Sequence, residues 1–326
     1  MSSNLRIIWI DDNPKREEEA INLKHSINAN VEFICVEKYN TEQFQKKIDG
    51  LSKPNLVLMD HSLDKTFSDT FKTGSTTATI LHDKWPNCPI VCVTGIEPNL
   101  VLSRQRLTYQ EVFLISNISN KYASINAIGE GFKIINHNRI KNLEDIFEAI
   151  KAPNEENMRL SKIFPKELKE SFSDPSYSLQ FYKWFSTVLY SRPGFLYDRL
   201  WAATILGLNE FGFEKVESLF VDAEYKGIFY DQSQKRWWKS LLLSKLGEIV
   251  EASGLPWVIG RHLPNINQGD YSKCYASGES YPETVAYEDE SINSKQYSMK
   301  LKNTISHPKY ENMLFFEEIR IMKAAE

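Results

Sequence analysis

The chain is poor in cysteine and histidine, has no surplus of charge, and lacks a long apolar run. Its 326 residues include only four Cys and six His. Cys35, Cys88, Cys92 and Cys274 form no CxxC pair and are too scattered for a disulfide framework. Cys88 and Cys92 lie beside or inside an expected buried strand, where small apolar thiols are common. No apolar run approaches the roughly 18 residues of a spanning helix, and the first residues lack the layout of a signal peptide. No membrane segment is therefore expected, and the chain reads as cytoplasmic. Lys and Arg number 39 against 43 Asp and Glu, a net charge of −4. Residues 1–150 hold 17 basic and 19 acidic residues and the remainder 22 and 24, so neither half has the basic surplus of a typical DNA-binding module. No internal repeat or low-complexity tract is present. A hydrophobic content of 42% excludes wholesale disorder, and the length suits about two domains.

Residues 5–137 alternate between apolar runs and helical stretches. Leu5–Ile10, Val31–Val36, Asn55–Met59, Pro89–Val93 and Glu111–Ile115 are expected strands. Pro14 is placed at a first helical position with Glu17, Glu18 and Glu19 in the opening turns, and Thr41–Asp49 is a short helix with Phe44 and Ile48 on one face. Continuously apolar strands separated by helices indicate a parallel sheet covered on both faces. Asp11, Asp12, Asp60 and Thr94 each follow a strand at its carboxyl end, where a doubly wound sheet opens its ligand crevice. Three converging carboxylates repel one another unless a cation neutralises them, and oxygen-only donors favour Mg²⁺. With a hydroxyl on the adjacent strand end, the set suits formation of an acyl phosphate on a carboxylate nucleophile.

The pieces IIWIDDNP, LVLMDHSLD and PIVCVTG resemble the receiver domain of two-component response regulators over residues 4–137. The resemblance implies a flavodoxin-like five-stranded fold with Asp60 as phosphoacceptor. It implies Mg²⁺ held by Asp11, Asp12, Asp60 and the Ser62 backbone carbonyl. Thr94 would be the hydroxyl that moves toward the phosphoryl group, and Phe113 the rotating aromatic. The sequence departs from the family in one respect. Receivers usually carry a Lys at the end of the fifth strand, where this chain has Ser116, and the nearest Lys is Lys121. Loss of that charge-assisted contact removes about 1.5–3 kcal/mol from the phosphorylated state. Residues 61–74 suggest an enlarged loop over the site, with His61 inside it.

Residues 138–160 are expected to form a linker or connecting helix, carrying the amphipathic set Leu143, Ile146, Phe147 and Ile150. A mostly helical α+β domain follows over 161–326, helical from 178 to 253 and mixed β from 255 to 326. One long helical run is expected to end near Gly212 and another at Gly254. Lys235-Arg236-Trp237-Trp238-Lys239 reads as a helix start that could contact nucleic acid. The more ordinary reading divides the two Trp between core and partner interface, beside solvated basic residues. Cys274 with His262 and His307 could make a nucleophilic site, against the default of a packed thiol. Glu288-Asp289-Glu290 reads as a solvated acidic loop. Five of seven Trp lie beyond residue 150, and aromatic anchors favour a protein-binding output module.

The chain is thus expected to be an atypical response regulator. It would take a phosphoryl group from a histidine kinase or phosphotransfer protein and signal through protein contacts of its C-terminal domain. DNA is disfavoured as a partner, and a homodimer is compatible with the reading. Alternatives are a phosphate-sink receiver in a branched relay, such as an anti-phage phosphorelay, a pseudo-receiver scaffold, and an enzyme effector with a C-terminal active site.

Overall fold

Short runs of Ile, Val and Leu build the first sheet. A computed structural model describes residues 4–63, 73–101, 103–138, 140–253, 260–274, 278–280, 284–289 and 292–298. The strands are β1 (Arg6–Asp11), β2 (Asn30–Cys35), β3 (Leu56–Asp60), β4 (Ile90–Thr94) and β5 (Glu111–Leu114), all parallel, in the order 2-1-3-4-5. Ile7–Ile10, Leu56–Met59 and Ile90–Val93 are buried, as strands covered on both faces must be. Helices α1 (Arg16–Ile27), α2 (Thr41–Gly50), α3 (Gly74–Lys84), α4 (Ser103–Arg106) and α5 (Tyr122–Asn138) connect or follow the strands. The Asn40 side chain and Gln43 cap α2 reciprocally, and Phe44 and Ile48 are its buried residues, as the sequence spacing requires. The first helix corrects an expectation. It begins at Arg16, so Pro14 lies in the preceding turn, where its carbonyl accepts from the Glu17 N–H and the Asn13 carbonyl from the Arg16 N–H.

The described chain forms two compact units. The first is Met1–Asp145 with Glu167–Lys183 and Ile228–Ser233. The second is Ile146–Lys166, Trp184–Gly227 and Gln234–Glu326. The passage at Asp145–Ile146 lies within the stretch expected as linker, but two later segments return to the sheet. Tyr182 Oη donates to Glu111 Oε1 at the start of β5 (2.9 Å), and Ser124 Oγ on α5 donates to Asp231 Oδ2 (2.6 Å). The Phe229 ring lies against Gly131 of α5, where an added Cβ would come within 2.1 Å of it. That ring also meets Phe132 and Tyr182 edge to face at 5.4 and 4.8 Å.

Helices α6 (Leu143–Ala149), α7 (Asn154–Ile163), α8 (Lys166–Glu170) and α9 (Tyr177–Trp184) follow, α9 running into a π-helical turn at Phe185–Tyr190. The second unit centres on β6 (Leu196–Tyr197), α10 (Arg199–Ile205), α11 (Glu210–Val216), β7 (Trp237–Trp238) and α12 (Lys239–Ser253). The single helical run expected to end near Gly212 is instead two helices. Asp198 caps α10, Gly207 takes φ 68° between them, and Asn209 caps α11. The hairpin β8 (Thr284–Asp289) and β9 (Ile292–Ser298) supplies the β texture, with Gln296 Nε2 donating to Thr204 Oγ1 and the Leu208 carbonyl. Glu288 and Asp289 therefore end a strand rather than forming a loop, and Glu290 lies outside the described residues. The fold is a receiver-like α/β sheet at the N-terminus, with the remainder largely helical.

Candidate phosphoacceptor site

The strands deliver the polar residues to one edge. Each of β1, β3 and β4 ends on its polar residue, Asp11, Asp60 or Thr94, and Asp12 follows β1 directly. In the ladder Asp60 stands beside Val93, and Thr94 beside Leu114. One carboxylate oxygen from each of Asp11, Asp12 and Asp60 lies within 4.8 Å of the others. Asp11 and Asp12 are buried and Asp60 is half-buried. Such crowding raises the cost of charge. Burial, then the charge of Asp11, lifts Asp60 to about 7, although the backbone N–H groups of Ser62 and His61 pull the other way. Burial likewise lifts Asp11 to about 6, opposed by the Asn13 N–H, which donates to its Oδ1 at 2.8 Å. Two carboxylates lifted this far from their ordinary range favour a neutralising cation. All three donors are hard oxygens, so the residues fit Mg²⁺.

Thr94 is buried, and its Oγ1 accepts the Ile96 N–H at 3.2 Å, which leaves its own O–H to donate elsewhere. Phe113 sits one strand over, paired with Val93. Ser116 is exposed in the helical turn after β5, and Lys121 sets its Nζ 5.8 Å from the Phe113 ring centroid. Ser62 forms an isolated bridge with Thr73, and residues 64–72, where an enlarged loop is expected, lie outside the described residues.

Gly74 carries no signal in the sequence beyond its place after Thr73, yet it packs directly against the Asp60 backbone. Its N–H donates to the His61 carbonyl, and an added Cβ would come 1.9 Å from the Asp60 carbonyl oxygen and 2.9 Å from Tyr109 Oη. The ring of Tyr109 meets His61 edge to face at 6.3 Å. Glu111 was also passed over, although a carboxylate opening an apolar strand signals a buried partner; that partner is Tyr182.

The C-terminal candidates are placed elsewhere. Cys274 is buried in the apolar core of the second unit, with its N–H on the Glu279 carbonyl; His262 is exposed, and His307 lies outside the described residues. The segment 235–239 does stand at a helix start, since α12 begins at Lys239, but Trp237 and Trp238 form β7 just before it, and both are buried rather than divided between core and surface. Trp237 meets Phe213 edge to face at 5.0 Å. Trp184 and Trp201 are buried too, so the described tryptophans beyond residue 150 are core residues rather than exposed anchors; Trp257 lies outside the described residues. Trp237→Ala is expected to cost about 3–5 kcal/mol in a urea unfolding experiment, from the cavity it leaves. No helix among the described residues is long and apolar enough to cross a membrane.

Comparison with protein-family models and with curated proteins gives no match. Among solved structures, the chain is similar to a CheY-like response regulator receiver domain protein from Methanospirillum hungatei (19% identity, 39% of this chain and 98% of that one, TM-score 0.31). It is also similar to a two-component response regulator from Clostridium difficile (20% identity, 38% and 95%, TM-score 0.31). A third is a response regulator protein from Thermotoga maritima in complex with Mg²⁺–BeF (17% identity, 36% and 98%, TM-score 0.28). The parallel sheet of order 2-1-3-4-5, with its polar residues on the carboxyl edge, gives the N-terminal part of the chain the CheY-like receiver fold.

Proposed function

We propose that Asp60 accepts a phosphoryl group from the phosphohistidine of a histidine kinase or phosphotransfer protein, making the chain an atypical response regulator. The observation that carries this reading is the meeting of the Asp11, Asp12 and Asp60 carboxylates within 4.8 Å at the carboxyl edge of the sheet. In the transfer, an Asp60 carboxylate oxygen attacks phosphorus in line with the leaving imidazole. The new P–O bond forms as the P–N bond breaks, and the imidazole nitrogen keeps the electron pair and takes up a proton. Only the ionised Asp60 is nucleophilic. The Ser62 and His61 N–H groups favour that form and orient it. Asp11, Asp12, Asp60 and the Ser62 carbonyl would hold Mg²⁺, which would supply positive charge for the carboxylates and the phosphoryl oxygens. The Thr94 hydroxyl donates to a phosphoryl oxygen.

Ser116 favours one second reading, a phosphate sink that competes with another receiver. Acceptance needs the nucleophile and its neighbouring carboxylates, whereas the usual Lys stabilises the loaded state, and here Lys121 stands over Phe113 instead. Incubation with a phosphorylated donor and Mg²⁺ is expected to label the wild-type chain and not Asp60→Asn. Asp11→Asn or Asp12→Asn is expected to slow labelling by about 10- to 100-fold. Equal labelling of wild type and Asp60→Asn rejects the assignment.

A further inference from the structure

The edge strand of the sheet meets later segments of the same unit. β5 is the edge strand of the sheet, and with a two-residue side-chain period Glu111 and Phe113 stand on the same face of it. Lys121 serves both. Its ammonium lies 5.8 Å from the Phe113 ring centroid and, after the Arg106 guanidinium, acts by Coulomb attraction on the Glu111 carboxylate. That carboxylate in turn accepts the Tyr182 hydroxyl at 2.9 Å. Tyr182 packs on Phe132 at 5.3 Å and on Phe229 at 4.8 Å, and the Phe229 ring lies against Gly131. The segments carrying Tyr182 and Phe229 belong to the same unit as the sheet and run directly into the second unit at Lys183–Trp184, Gly227–Ile228 and Ser233–Gln234.

We propose that the Glu111–Tyr182 contact is a latch, closed while Asp60 is free and loosened when Asp60 carries a phosphoryl group, so that the chain reads its own phosphorylation through segments 167–183 and 228–233. The inference rests on the phosphoacceptor reading above. Asp60 pairs with Val93 and Val93 with Phe113, so the nucleophile is two strand spacings from Phe113, about 10 Å. A group that adds negative charge there attracts Lys121 and repels the Glu111 carboxylate. At this range the effect survives because the intervening strands are buried and poorly screened. Both effects push Glu111, already raised by burial, toward its neutral form, which accepts the Tyr182 hydroxyl more weakly than the carboxylate does. Tyr182 and Glu111 are positioning residues, since neither touches the reacting atoms.

Linkage makes the test reciprocal: if loading Asp60 opens the latch, opening the latch must favour loading by the same factor. Tyr182→Phe removes only the hydroxyl and leaves the ring packing, and Glu111→Gln checks the result from the other side. The full-length chain is titrated with beryllium fluoride in the presence of Mg²⁺, followed by tryptophan fluorescence, and backbone hydrogen exchange is read over 167–183 and 228–233. In the wild type, loading is expected to speed exchange in both segments. Tyr182→Phe and Glu111→Gln are expected to bind beryllium fluoride about five- to tenfold more tightly, with faster exchange before loading and a smaller change on loading. Affinity within twofold of wild type in both variants, with exchange unmoved by loading, overturns the latch and leaves the phosphoacceptor reading standing. Absence of any binding that depends on Asp60 overturns that reading, and the latch falls with it.

Discussion

Asp60→Asn is expected to make the metal-free protein more stable at pH 8, by about 2–4 kcal/mol in urea unfolding. The direction follows from the crowded crevice. An unfolded Asp titrates near 3.8, and folding lifts Asp60 to about 7. Between those values the folded chain binds more protons than the unfolded one, so stability falls as pH rises through this window and levels off above it. Asp11, lifted to about 6, adds to the fall over the lower part of the same window. Asparagine cannot ionise and escapes the penalty at position 60. Mg²⁺ should reverse the order at pH 8, because it binds the folded wild type and the variant has lost a ligand. At pH 4 both differences should shrink toward zero. A metal-free Asp60→Asn protein no more stable than wild type at pH 8 contradicts the picture of three carboxylates forced together.

Gly74→Ala is expected to destabilise the protein by about 2–4 kcal/mol and to slow phosphoryl acceptance by about 100-fold. Helix propensity alone argues for the opposite sign, since Ala in a helix is favoured over Gly by about 1 kcal/mol. The steric effect wins. The new Cβ would lie 1.9 Å from the Asp60 carbonyl oxygen, a backbone atom fixed by the β3 ladder, and 2.9 Å from a buried tyrosine hydroxyl. Either α3 retreats or the end of β3 moves, and in the second case Asp60 moves with it. Unfolding and labelling rate measured on the same variant separate the two. An alanine variant as stable as wild type shows that the turn can relax, and removes the demand for glycine.

The site was more legible in the sequence than its surroundings. A strand buried on both faces declares itself as a continuous apolar run, so the polar residue that ends it is conspicuous; Asp11, Asp60 and Thr94 were found that way, each one residue further into its strand than expected. What escaped depends on contacts between distant residues. The spacing in SLQFYKWF marks a helical face, but not that the Tyr182 hydroxyl meets Glu111. Gly74 looks like any glycine beside a threonine cap. Pro14 misled because the Asp-Asp-Asn turn before α1 satisfies its own backbone groups and delays the helix. Trp237 and Trp238 misled because flanking Lys and Arg suggest an exposed surface. Lys235 is instead drawn to Glu217 at 2.7 Å, and the Arg236 guanidinium lies over the Tyr190 ring at 4.7 Å.

The most direct test of the account is the position of the phosphoryl group itself. After phosphotransfer in Mg²⁺, borohydride reduces an acyl phosphate to an alcohol, converting the modified aspartate to homoserine, which peptide mass spectrometry locates. Homoserine at position 60 alone, absent when Mg²⁺ or donor is omitted, is the result expected. Homoserine at Asp11 or Asp12, or none anywhere in a chain shown to be folded and exposed to an active donor, contradicts it.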